Sequence, residues 1–230
     1  MLLTLRVRDV VPATPRAVVV RLDLEDRRFD YTAGQAVFVG PHGDRDRRPY
    51  SLAAAPENAR RDRALELLIG TGPGDSGEVP FTPAAGAQVD VEGPVGSFVF
   101  PAGADERRFL FIAGGTGIAP LRAMLRHALN VPGDIALLYT ARTPDDFAYA
   151  DEFAALARDG RIEFRRTVTR STAGDWEHDR GRVSRAMIEP LLHGQATLCF
   201  VCGPRPLVEE ARRLLLELGI ARDRIRTEEQ

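Results

Sequence analysis

Residues 109–129, FLFIAGGTGIAPLRAMLRHAL, set a short apolar run against a glycine turn and then an apolar pattern of helical spacing. FLFI reads as a strand buried on both faces, the kind found in parallel sheets. Gly114, Gly115 and Gly117 let the backbone turn tightly. Pro120 falls in the first helical turn, where a missing N–H costs least. Strand, glycine turn and helix in this order predict the first unit of a nucleotide fold. Exposed amides and the helix dipole there attract phosphate, and glycines let a pyrophosphate come close. The spacing G-T-G-I-A-P falls short of G-x-G-x-x-G, so a tight turn without a ligand stays open on these residues alone.

Working outward, the chain changes grammar near residue 100. Before it lie TLRVRDV, AVVVRLDL, QAVFVG, ALELLIG, QVDVEG and SFVF, short β-rich runs separated by Gly and Pro. They predict an antiparallel barrel of about six strands. After PAGADERR (101–108), strands alternate with helical stretches, as in IALLYTA, DDFAYADEFAALA, IEFRRTV, VSRAMIEPLL, ATLCFVC and PLVEEARRLLLELG. That alternation predicts a parallel sheet with crossover helices. The expected division is residues 1–101, a barrel domain, and 102–230, an α/β domain. DRDRR (44–48) and ARRDR (59–63) read as charged loops.

Composition removes several chemistries. All 31 basic residues are arginine, which excludes Schiff-base lysines and P-loops. A net charge of −2 gives no general attraction to nucleic acid. No apolar run approaches the roughly 20 residues of a membrane span, and the charged start is unlike a signal peptide. The expectation is a cytoplasmic protein. His42, His127, His178 and His193 share no ligand spacing, so no metal site is expected. Two cysteines cannot hold a four-thiolate iron–sulfur cluster. In ATLCFVCGP, Cys199 and Cys202 sit three apart on a strand and face opposite sides, which argues against a redox pair. Cys199 is expected to be structural, whereas Cys202 ends its strand just before Gly203 and Pro204.

RRPYSLAAAP (47–56) adds a second candidate site. Arg48 offers a planar donor fork suited to phosphate, Tyr50 a flat face, and Ser51 a small hydroxyl. By themselves these residues are better read as an ordinary barrel strand with a packed tyrosine and a solvated arginine. Together, Arg48-Pro49-Tyr50-Ser51, then G-P-V-G-S-F (93–98), Gly114 to Pro120, and Cys202-Gly203-Pro204 follow one another in the order of the ferredoxin–NADP reductase family. The whole chain resembles that family's flavin and pyridine-nucleotide module. The resemblance implies FAD on the barrel, with Arg48 on its pyrophosphate, Tyr50 packed on the isoalloxazine, and Ser51 near flavin N5. It implies that Gly114, Gly115, Thr116, Gly117 and Pro120 receive the pyrophosphate of NADPH or NADH. Cys202, Gly203 and Pro204 would lie beside the nicotinamide, and Glu228 matches a family glutamate. The expected catalytic residues are Ser51, Cys202 and Glu228, serving hydride transfer from nicotinamide C4 to flavin N5 without covalent catalysis. Electrons then pass to ferredoxin, flavodoxin or an oxygenase component. The rival reading is a non-catalytic electron-transfer or assembly subunit that keeps the fold.

The chain departs from the family pattern at three places. Gly77-Glu78-Val79-Pro80 stands where G-x-x-S or G-x-x-T would grip the flavin phosphates, which leaves FMN as well as FAD open. Gln230 stands where many members have a terminal aromatic. No iron–sulfur domain is attached within the sequence. On nucleotide choice, the tip of IALLYTAR carries Thr140 and Arg142 rather than the acid that selects a free ribose hydroxyl. Arg170 closes the next strand and could join Arg142 around a 2′-phosphate, while Asp145 and Asp146 weigh against it. NADPH is therefore favoured over NADH.

Overall fold

The computed structural model describes residues 1–72, 81–103, 106–170, 174 and 176–229. The first half holds β1 (Leu2–Thr14), β2 (Ala17–Asp23), β3 (Ala36–Pro41), β4 (Arg48–Ser51), α1 (Pro56–Asp62), β5 (Ala64–Gly70) and β6 (Gln88–Val95). Its strands pair antiparallel in the order β4-β3-β6-β1-β2-β5. A bridge between Leu52, just past β4, and Leu67 of β5 joins the two edges into a barrel. β4 lies at a sheet edge, where Pro49 need not donate to a ladder.

The second half holds β7 (Arg108–Gly114), α2 (Ile118–Ala128), β8 (Asp134–Ala141), α3 (Ala150–Arg158), β9 (Glu163–Val168), β10 (Asp179–Arg180), α4 (Arg185–Leu192), β11 (Leu198–Gly203), α5 (Arg205–Glu217) and β12 (Ile225–Glu229). All pairs are parallel, in the order β10-β9-β8-β7-β11-β12. The chain leaves β7 toward β8 on one side and returns to β11 on the other. The crevice between the C-terminal ends of β7 and β11 is thus the topological switch point, where open α/β sheets bind ligands.

Burial explains why β7 is apolar throughout. Phe109 and Phe111 face one layer with α2 and α3, while Leu110 and Ile112 face the other with α4 and α5. The first of these layers does not stop at the sheet. It continues into the barrel through Ala17, Val19, Ala33, Ala53, Leu68, Phe98 and Phe100. Residues Val20 and Leu22 of the same β2 point instead into the barrel's own core. β2 and β5 are consequently buried on both faces, and the two halves share a hydrophobic core. Gly34 shows how close that packing is: a Cβ there would lie 2.2 Å from Met124 Cε of α2 and 2.3 Å from the Phe98 carbonyl oxygen.

Three expectations need correction. SFVF (97–100) forms no strand; Phe98 and Phe100 are buried in the layer between the halves, and the Phe100 amide donates to the Ala33 carbonyl at 2.9 Å. Their apolar alternation serves the interface rather than a ladder. ARRDR (59–63) is not a loop, because α1 starts on Pro56 and ends at Arg63 in a left-handed conformation. The C-terminal IRTEE, read only for its glutamate, is the edge strand β12. Among the described residues no helix is long and apolar enough to cross a membrane.

Candidate functional site

The glycine turn sits at the switch point. A short 3₁₀ turn over Gly115–Gly117 leads from β7 into α2. The glycines do different jobs there. A Cβ on Gly117 would lie 2.4 Å from the Cys202 carbonyl oxygen, and one on Gly114 would lie 2.4 Å from Leu207 Cδ2. What presses on these two positions is protein, the end of β11 and the start of α5. Gly115 differs: its φ is +55°, and a Cβ there would meet nothing within 4 Å. Gly115 is therefore the glycine that turns the chain toward open space, while Gly114 and Gly117 draw the turn onto Cys202 and Gly203. Thr116 lies over the barrel, with its Cγ2 3.7 Å from where a Cβ on Gly70 would stand.

Cys202 and Glu228 face each other across the β11–β12 ladder, with Sγ 4.0 Å from Oε2. Burial, with the Glu228 charge added, pushes the Cys202 thiol well above its ordinary range, so it stays protonated at neutral pH. Burial also raises the carboxyl of half-buried Glu228. Cys199 lies in the opposite layer of the sheet, its thiol pushed up to about 12 by burial, and both cysteines are free thiols. The divergence expected from strand geometry holds.

β4 presents the second set of residues. Arg48, Tyr50 and Ser51 are half-buried and Pro49 is exposed. Tyr50 donates its hydroxyl to the Phe81 carbonyl at 3.2 Å, and burial raises its phenol. A cation, a fixed aromatic face and a hydroxyl on one four-residue strand form a donor set that suits a flavin nucleotide. The predicted phosphate loop, Gly77, Glu78 and Val79 with Pro80, lies outside the described residues, as does Gln230.

At the outer end of the sheet, Thr140 is buried beside Gly114, and Arg142 and Arg170 are both exposed. The Arg170 amide donates to the Arg142 carbonyl at 2.9 Å, which brings the two strand ends together. Asp146 does not face this corner freely. Its Oδ2 accepts from the Thr143 amide at 3.1 Å, the Thr143 hydroxyl at 2.8 Å and Arg16 Nη1 at 2.8 Å.

One buried charged group escaped the sequence reading. Arg122, near the start of α2, is largely buried beneath the turn. Its Nη1 donates to the Ala53 carbonyl at 2.7 Å and to Glu66 Oε1 at 2.8 Å. Its Nε and Nη2 both reach Glu152 Oε2 of α3 at 2.8 Å, and its guanidinium carbon lies 4.1 Å from the centre of the Tyr149 ring. Glu66 also accepts from Tyr149 and from Arg21, at 3.1 and 2.9 Å. In the sequence, Arg122 is one arginine of many on an amphipathic helix. Only its interruption of an apolar run, LRAML, hinted that it is not solvated.

Residues 111–213 match the family model described as an oxidoreductase NAD-binding domain. The chain is 33% identical to ferredoxin–NADP reductase B of Sorangium cellulosum, over 97% of this chain and 95% of that protein. It is 30% identical to the reductase component of propane 2-monooxygenase from Rhodococcus jostii, over 96% of this chain but 61% of the relative's length. In structure it matches the Amycolatopsis cytochrome P450 reductase GcoB with a TM-score of 0.85 at 27% identity, covering 99% of this chain and 70% of that one.

Proposed function

Because the chain belongs to the ferredoxin–NADP reductase family, we propose that it takes a hydride from NADPH or NADH onto a bound flavin and passes electrons to a separate acceptor. The observation that carries this reading is the meeting, at the β7/β11 switch point, of an open glycine turn with the backbone of Cys202 and Gly203 at the end of β11. We assign residues 1–101 to flavin binding and 102–230 to nucleotide binding.

A bound flavin supplies the store between a two-electron donor and a one-electron acceptor. The chain's own part is positioning. Arg48 would hold the flavin phosphate with a charge-assisted fork, Tyr50 would offer its ring to the isoalloxazine, and Ser51 would offer a hydroxyl near N5. The turn from Gly114 to Pro120, with Thr116, receives the nucleotide pyrophosphate. Gly203 and Pro204 shape the wall for the nicotinamide. Cys202 keeps its proton on Sγ, so no thiolate stands ready to add to the nicotinamide ring. Glu228 lies behind it, its carboxyl shifted by burial toward the protonated form.

We favour NADPH because Arg142 and Arg170 adjoin, are exposed, and form no ion pair among the described residues, while Asp146 is occupied by Thr143 and Arg16. FAD is the flavin that fits the family, and FMN is the alternative a mass measurement decides. The acceptor class is ferredoxin, flavodoxin or an oxygenase component. The test is purification followed by anaerobic addition of each nucleotide. A yellow protein bleached by NADPH at lower concentration than by NADH supports the reading. A yellow protein that neither nucleotide bleaches overturns it in favour of a non-catalytic electron-transfer subunit.

A further inference from the structure

Hydride transfer depends on holding two rings at a fixed separation, and in this fold the two rings are carried by different domains. The residues that carry them are linked through one side chain. Ala53 follows Ser51 by two residues; its amide donates to the Glu66 carbonyl at 2.8 Å, and its own carbonyl accepts from Arg122 at 2.7 Å. Arg122 follows Pro120 by two residues, in the helix that the glycine turn begins. A single guanidinium therefore joins the end of the flavin strand to the start of the nucleotide helix.

Its surroundings leave it little freedom. Glu152 engages one edge of the fork, Ala53 and Glu66 engage the other, and the Tyr149 ring covers the face. Arg21 secures Glu66 from the barrel side. An apolar interface alone, such as the Phe98–Phe100 layer, resists separation of the domains but tolerates small sliding, because dispersion contacts are not directional. A planar fork with three directed hydrogen bonds and a further ion contact to Glu152 does not tolerate it. We propose that Arg122 is a positioning residue that sets the distance between the flavin strand and the nicotinamide turn. Glu66 and Glu152 orient it. The inference rests on the proposed hydride transfer between those two segments.

Arg122→Lys keeps the charge but loses the fork, and Glu66→Gln keeps the shape but loses one ionic partner. The two variants are compared with wild type in flavin content, thermal midpoint, flavin reduction rate at saturating nucleotide, and nucleotide dissociation constant. Amide hydrogen exchange at Ala53 and across residues 115–122 is followed in the same proteins. A misplacement of about 1 Å can cost on the order of a hundredfold in rate. The expected result is a reduction rate lowered tenfold or more in Arg122→Lys, with full flavin and a dissociation constant changed less than threefold. Exchange should rise at Ala53 and in the turn together. A merely structural role would lower the thermal midpoint and leave the rate at saturation unchanged, and that outcome overturns the proposal. If wild type itself is not reduced by either nucleotide, the proposed function fails and exchange decides. Coupled loss of protection at Ala53 and the turn then supports the tie, and unchanged protection overturns it.

Discussion

Gly117→Ala isolates the close approach of the nucleotide turn to β11. The backbone at Gly117 has φ −58° and ψ −10°, which alanine adopts without strain, so any effect comes from the added methyl group. That methyl would lie 2.4 Å from the Cys202 carbonyl oxygen, 2.6 Å from its carbon and 2.7 Å from the Gly203 nitrogen. All three atoms are backbone, so no rotamer change relieves the clash. The turn must retreat by about 1 Å to restore ordinary contact near 3.4 Å. Overpacking of this kind costs about 1–3 kcal/mol. In a chain of this size each kcal/mol lowers the thermal midpoint by roughly 2–4 °C. The same retreat carries the proposed pyrophosphate site away from Cys202, and a displacement of that size costs on the order of a hundredfold in a positioned reaction. Stopped-flow reduction at saturating nucleotide, beside a thermal melt, measures both effects. Gly115→Ala is the control. Its methyl would meet no protein atom, so its cost is the left-handed backbone, about 1–2 kcal/mol, and an obstruction of the nucleotide. The reasoning is refuted if Gly117→Ala melts and reacts like wild type, or if the two variants are indistinguishable in both measurements.

Cys202→Ser should slow flavin reduction with full flavin content, its hydroxyl finding Glu228 as acceptor; Cys199→Ser should instead lose on the order of 1–3 kcal/mol of stability at unchanged rate. Equal rate effects would remove this division. Arg48→Ala should weaken flavin binding by about 2 kcal/mol, read as flavin lost on gel filtration, and unchanged retention would show that the strand does not grip phosphate. For Glu228, the folded carboxyl lies above its ordinary 4.5, so its favourable contribution is complete below that value and is lost as pH rises through the folded pKa. Denaturant melts of Glu228→Gln against wild type should therefore shift in the variant's favour as pH rises above about 4.5, and a pH-independent difference would contradict the burial argument. Replacing both Arg142 and Arg170 by alanine should raise the half-saturating NADPH concentration about 10–30-fold, at roughly 1 kcal/mol each for exposed contacts, and leave NADH unchanged. A parallel loss for both nucleotides would place the arginines elsewhere than on the 2′-phosphate.

The parts of the fold that repeat with a period were legible in the sequence. FLFI, IALLYTA and ATLCFVC are apolar because each is covered on both faces, and they became β7, β8 and β11 of one parallel sheet. The opposite orientation of Cys199 and Cys202 follows from strand geometry alone. Features created by contact between the halves were not legible. SFVF carries the apolar residues of a strand, yet Phe98 and Phe100 fill the layer beneath α2. Gly114 and Gly117 suggested a ligand, but their close neighbours are Leu207 and Cys202, which only the assembled sheet brings near. Arg122 is the sharpest case. Its partners Ala53, Glu66 and Glu152 are 69, 56 and 30 residues away in the chain, and no local pattern marks such a meeting.

The central claim is that nicotinamide C4, held beside Cys202, delivers a hydride to a flavin held beside Ser51. Flavin bleaching by nucleotide deuterated at C4, followed in single-turnover mixing without oxygen, tests it most directly. The predicted result is a reduction several-fold slower with one C4 deuterium stereoisomer than with unlabelled nucleotide, with the other stereoisomer near the unlabelled rate. Bleaching at the same rate with both stereoisomers, or no bleaching at all, would contradict the claim.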